Sequence, residues 1–117
     1  MKKIIFYSYL KCSTCVKAAK WLRSNDFDFQ LIDIVKEPPL VDYLNLALEH
    51  SDNKKRIFNT RGKAFKNLNL DIYGLSREEI IRLLLGDGKL IKRPFLIYEL
   101  KKVILGFNEI EYAKQFI

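Results

Sequence analysis

Cys12 and Cys15 are the only two cysteines of the chain and stand three positions apart in Cys12-Ser13-Thr14-Cys15. Cross-links that staple a fold join distant segments, which a pair this close cannot do. The spacing suits thiol chemistry instead. An apolar run, Ile4-Ile5-Phe6-Tyr7, precedes the pair and apolar residues at helical spacing follow it, so Cys12 falls where a strand hands over to a helix. Unpaired N–H groups and the positive end of the helix dipole favour a thiolate there, which makes Cys12 the expected nucleophile. Cys15, one turn inside, can attack a mixed disulfide on Cys12 and release the bound partner as a thiol. Lys11 and Lys17 add positive charge nearby, and Ser13 and Thr14 are candidates to cap the helix. Two other readings stand beside this one. A structural zinc site takes four protein ligands, and the chain offers no second cysteine pair and a single histidine, so no metal site is expected. His50, next to Glu49 at the end of a predicted helix, reads as a cap or surface residue. A pair of inert core cysteines is the remaining alternative, since free cysteine often packs as a small hydrophobe.

A second place with chemical potential is Lys92-Arg93-Pro94-Phe95, a proline set just before a strand. An X–Pro bond is the one kind that adopts the cis form at low cost, and a cis bond at Pro94 would bring Arg93 toward the cysteine loop as an anion or thiolate partner; the other reading of Arg93 is a surface arginine at a strand start. Arg61, in the polar interruption Asn59-Thr60-Arg61-Gly62, either points into the same cleft or caps a helix.

The elements that must position these residues follow from pattern. A strand over 3–7 leads through the cysteine loop into a helix that begins at Ser13 and closes at Ser24-Asn25-Asp26, followed by a strand around Phe29 to Ile34 that stops at Pro38-Pro39. Strand, helix, strand at this length favours a parallel pair in an α/β or α+β domain. Helical pieces are then expected at about 40–50, 54–58, 63–68 and 76–85, the last opened by Ser76 and Glu79 at capping-box spacing and stopped by Gly86-Asp87-Gly88. Phe95 to Tyr98 and Val103 to Leu105 form a hairpin, and Asn108 caps a last helix over 109–116.

With 117 residues, 49% of them hydrophobic and 30% charged, the chain is expected to fold as one domain over 1–117, with enough apolar material for its own core. The opening MKKIIFYSYLKC is interrupted too early for a signal peptide or a membrane span, so a cytoplasmic protein is expected, where thiols stay reduced unless they cycle. Twenty-one Lys and Arg against 14 Asp and Glu give a net charge of +7, spread in pairs such as Lys54-Lys55-Arg56 and Lys101-Lys102 without a nucleic-acid motif. We expect a solvated basic surface and no direct nucleic-acid or membrane partner.

Taken together, Cys12-Ser13-Thr14-Cys15-Val16-Lys17-Ala18, Asn59-Thr60-Arg61-Gly62, the run Asp87-Gly88-Lys89-Leu90-Ile91-Lys92-Arg93-Pro94 and Gly106-Phe107-Asn108-Glu109 resemble the arsenate reductase/Spx family over nearly the whole chain. The resemblance implies a thioredoxin-like α/β fold with a four-stranded mixed sheet, a helical insertion over about 40–88 and a cis Pro94. It implies redox work at Cys12 and Cys15, and an anion- or substrate-binding set drawn from Lys11, Ser13, Thr14, Arg61, Arg93 and Pro94. No bound cofactor is implied; glutathione or another thiol would supply electrons to a small thiol or disulfide substrate, with glutaredoxin or thioredoxin as partner. The family also holds Spx-type regulators, which bind the RNA polymerase alpha subunit, so a redox-switched regulator is the alternative. Arsenate reductases of the family lack the second cysteine and hold the oxyanion with three arginines. Here Phe107 stands at the third arginine's place. The regulators' glycine before the Asn-Thr-Arg stretch is Asn53 here, and Val16 replaces the arginine that often follows their cysteine pair.

Overall fold

The computed structural model describes residues 3–117; Met1 and Lys2 of the basic opening lie outside the described residues. Its strands are β1 (Ile4–Ser8), β2 (Gln30–Asp33), β3 (Phe95–Tyr98) and β4 (Lys102–Leu105), and its helices α1 (Ser13–Ser24), α2 (Val41–Glu49), α3 (Lys63–Leu68), α4 (Arg77–Gly86) and α5 (Glu109–Phe116). They build a four-stranded mixed sheet in the order β2-β1-β3-β4. β2 runs parallel to β1, with Phe6 opposite Leu31, while β3 is antiparallel to both β1 and β4.

The sheet is covered on both faces, which explains why β1 and β3 are uninterrupted apolar runs rather than alternating ones. Ile5, Tyr7, Phe95 and Ile97 face one core with Leu44 and Ala47 of α2 and Ile80, Ile81 and Leu84 of α4. Ile4, Phe6, Leu96 and Ile104 face the other, against Ala18, Ala19 and Leu22 of α1 and Tyr112 and Phe116 of α5. Trp21, Phe27 and Tyr112 close this second layer by ring contacts with Phe116 at 5.4 to 6.1 Å. That layer fixes α1, and with it the position of its N-terminus at the end of β1.

Residues 41–90 form the helical segment between β2 and β3. Ser76 opens α4 with both halves of a capping box: its hydroxyl accepts from the Glu79 N–H at 3.2 Å, and its own N–H donates to the Glu79 carboxylate at 3.0 Å. Asn108 caps α5 by accepting from the Glu111 N–H at 3.0 Å. The stretch around Lys54, expected as a helical piece, is a 3-10 turn over Lys54–Ile57, and two more such turns cover Ile72–Gly74 and Gly88–Leu90. Asn53, Asp71 and Asp87 each hold the start of one turn by accepting from the N–H two residues on. Such Asx contacts supply a tight turn without the length an α-helix needs. Gly88 is required where it stands: a Cβ there would collide with the Ile34 carbonyl in the chain leaving β2.

Candidate active site

Cys12 occupies the N-cap of α1 with an extended backbone, and its own sulfur performs the cap, accepting from the Cys15 N–H at 3.4 Å. Ser13 and Thr14 were expected as caps; they are instead the first two residues inside the helix, because the turn Tyr9-Leu10-Lys11 closes one residue earlier, with the Cys12 N–H donating to the Tyr9 carbonyl at 3.0 Å. The two sulfurs differ sharply in environment. Cys12 is half-buried, whereas Cys15 is 1% exposed.

Those environments separate the acidities. Burial by itself would push the Cys12 thiol up, but the Cys15 thiol and N–H and the Arg93 guanidinium together outweigh it and hold Cys12 below the usual thiol range. Burial, reinforced by the neighbouring Cys12 sulfur, pushes Cys15 up to about 12. Cys12 is thus the more acidic of the two thiols, and Cys15 hydrogen-bonds toward it.

Arg93 reaches this position from the loop before β3. The Arg93–Pro94 bond is cis. Its guanidinium lies over the Tyr9 ring, 4.8 Å from the centroid, while its Nη1 is buried with no hydrogen-bond partner among the described residues. A buried guanidinium nitrogen without an acceptor is costly, and a bound anionic group would satisfy it. Tyr9 therefore touches the site twice, by its carbonyl on Cys12 and by its ring under Arg93. In the sequence Tyr9 reads only as part of the loop Ser8-Tyr9-Leu10-Lys11 after the first strand; its adjacency to the cysteines was the one available signal.

The other arginine-bearing loop is tied to this one by backbone pairing. Asn59 N–H donates to the Leu90 carbonyl and Lys92 N–H to the Ile57 carbonyl, both at 2.8 Å, around the isolated bridge Phe58–Ile91. The pairing sets Arg61 and Arg93 on the rim of one open groove of about 1480 Å³, together with Cys12, Thr14 and Phe107. Pro94 and Cys15 lie buried behind it. Lys11 and Ser13, grouped with the anion-binding candidates, are exposed and do not line the groove. Phe107 does, and it packs edge-on against Tyr112 at 4.7 Å. His50 ends α2 as its C-cap and borders the groove from the far side. Among the described residues, no three His, Cys, Asp or Glu side chains group as metal ligands would.

The model of the ArsC family matches residues 7–115. The chain belongs to the ArsC family. It is 40% identical over 114 residues to the uncharacterized protein YusI of Bacillus subtilis, covering 95% of this chain and 96% of that one. It is 35% identical to the global transcriptional regulator Spx of Lactiplantibacillus plantarum, covering 95% and 84%. In fold it is similar to a possible arsenate reductase from Streptococcus mutans, with a TM-score of 0.87 and 38% identity over 97% of this chain and 98% of that one. The family's fold is thus the expected one: a four-stranded mixed sheet with the helical segment inserted before β3.

Proposed function

We propose that this ArsC-family chain is a thiol-disulfide reductase that works through Cys12 and Cys15. The observation that carries the reading is the separation of the two thiols: Cys12 held low at a helix N-terminus beside Arg93, Cys15 buried and held up. In the first step the Cys12 thiolate attacks one sulfur of a disulfide R–S–S–R′, forming Cys12–S–S–R and expelling R′S⁻. In the second, Cys15 loses its proton and attacks the Cys12 sulfur, expelling RS⁻ and leaving a Cys12–Cys15 disulfide. Two equivalents of an external thiol such as glutathione, with glutaredoxin or thioredoxin as relay, return both sulfurs to the reduced form. Arg61 and Arg93 bind the anionic part of the substrate, and Thr14 lines the entrance.

The test is turnover with glutathione, with and without glutaredoxin, offered either a small disulfide or arsenate. The reading expects disulfide reduction that is lost in Cys12→Ser, and weak or absent arsenate reduction. Phe107 offers no donor where a third arginine would stand, and each charge-assisted bond missing from a dry site is worth roughly 1.5 to 3 kcal/mol. Efficient arsenate reduction would place the chain with the reductases of that oxyanion instead.

A second reading draws on the relatives named as transcriptional regulators, 31 to 36% identical to this chain. In it the same pair is a sensor, oxidised once to a disulfide without turnover, and the partner is the RNA polymerase alpha subunit. Capture of that subunit by the oxidised but not the reduced chain, with no disulfide turnover, would favour it.

A further inference from the structure

β4 is an edge strand, and its hydrogen-bonding pattern can be read residue by residue. Gly106 N–H donates to the Pro94 carbonyl at 2.9 Å, which makes 94/106 a bonded pair; by alternation 96/104 and 98/102 are bonded as well. Glu99 N–H donates to the Lys3 carbonyl at 2.8 Å, so β3 turns its odd-numbered residues toward β1, in agreement. Val103 and Leu105 therefore direct their N–H and C=O groups away from the sheet.

That outward edge is a wall of the groove that holds Cys12. Val103, Ile104 and Leu105 all line it; Val103 and Leu105 pack toward one core and Ile104 toward the other, so the groove straddles the edge. The Gly106 contact with Pro94 places the C-terminal end of β4 at the cis-proline loop, next to Arg93. The groove is also strongly basic. Lys55, Arg56, Arg61, Lys92, Arg93 and Lys102 line it, against Glu111 alone among acids. The single ion pair among the described residues, Arg77 with Glu49 at 3.6 Å, lies elsewhere, so none of these six cations is in a salt bridge. Lys102 is held on the edge by its Nζ donating to Gln115 Oε1 at 2.7 Å.

We propose that the outer edge of β4 receives an extended acidic polypeptide segment as a fifth strand, which lays a cysteine of that segment, in disulfide form, beside Cys12. The docking rests on the redox reading for its purpose but not for its binding. An open strand edge supplies main-chain hydrogen bonds to any extended chain, and side-chain chemistry then selects the partner. The six cations select acidic residues, and they oppose a second copy of this chain, whose net charge is +7. The other edge strand, Gln30-Leu31-Ile32-Asp33 in β2, contains no lysine or arginine and does not line this groove.

The experiment uses a short synthetic peptide of Glu and Thr around a central Ser, free of cysteine, so binding is read apart from thiol exchange. Fluorescence anisotropy gives affinity, and amide hydrogen exchange followed by NMR gives the place. The expected result is slowed exchange at the Val103 and Leu105 amides, loss of binding when Lys replaces Glu in the peptide, and weakening with salt. N-methylating alternate peptide amides should weaken binding about tenfold in one register and little in the other, as a strand demands. Val103→Pro, which removes one outward N–H at a position where an edge strand tolerates proline, should weaken it similarly. Binding without protection at Val103 and Leu105, equal effects in both N-methyl registers, or preference for a single-stranded oligonucleotide over the acidic peptide would overturn the proposal. None of these results bears on whether Cys12 exchanges with disulfides, which the turnover assay decides separately.

Discussion

At the scale of single residues, the proposed chemistry draws on the charge that Arg93 brings to Cys12 and on the Tyr9 ring beneath Arg93. A guanidinium over an aromatic face is attracted by roughly 0.5 to 2 kcal/mol, enough to choose one arginine rotamer among several. Arg93 is one of the groups holding Cys12 below the usual thiol range, after the Cys15 thiol and N–H. Removing the guanidinium raises the Cys12 pKa, so at a fixed pH below the ordinary thiol range the thiolate fraction falls. Arg93→Ala should therefore move the midpoint of the alkylation rate against pH upward. Tyr9→Ala should move it the same way, whereas Tyr9→Phe, which keeps the ring, should leave it in place. A Tyr9→Phe midpoint as high as that of Tyr9→Ala would assign the effect to the phenol and not to the ring under Arg93. Cys12 and Cys15 were legible as candidates because their type and spacing suggest chemistry, and Arg93 only through the proline that follows it at a strand start. Tyr9 was not, since its part arises only when the cis-proline loop lies across it.

Among the elements, the β3-β4 hairpin shows a conflict between chain chemistry and backbone shape. Glu99 and Leu100 both take left-handed conformations, with φ of 56° and 57°. The turn closes with Lys101 N–H donating to the Tyr98 carbonyl at 3.1 Å. Hairpins of this hand usually place Asn and Gly at such positions, because a side chain at positive φ costs about 1 to 2 kcal/mol per residue. Leu100 is half exposed and gains little from burial in return. Leu100→Gly is expected to raise stability by about 1 kcal/mol, the relief of that strain less glycine's extra chain entropy. Urea denaturation checks it: a midpoint unchanged or lowered would mean that Leu100 packs more tightly than its exposure indicates. The hairpin itself was readable from two apolar runs around a polar turn, and α1, α4 and α5 from periodicity and caps such as Ser76-Glu79 and Asn108. The 3-10 turn over Lys54–Ile57 was not, because apolar spacing over four residues cannot distinguish a tight turn from an α-helix.

On the scale of the whole molecule, one sheet joins the cysteine end to the proposed docking edge of β4. β1 delivers Cys12, the cis-proline loop before β3 delivers Arg93, and the insertion delivers Arg61, with the backbone pairing of 57–59 to 90–92 holding the two arginine loops together. The basic groove was invisible in the sequence, where its cations are scattered from Lys55 to Lys102 and read as a solvated surface. Only the fold gathers them, with Glu111 the one acid among them. No helix among the described residues is long and apolar enough to cross a membrane. The central claim is that Cys12 attacks and Cys15 resolves. Mass spectrometry after exposure to glutathione disulfide tests it most directly, applied to the wild type, Cys15→Ser and Cys12→Ser with the modified residue identified. The expected products are an intramolecular Cys12–Cys15 disulfide in the wild type, a stable glutathione adduct on Cys12 in Cys15→Ser, and no adduct in Cys12→Ser. A glutathione adduct that forms on Cys15, or a wild type that leaves both thiols unmodified, would contradict it.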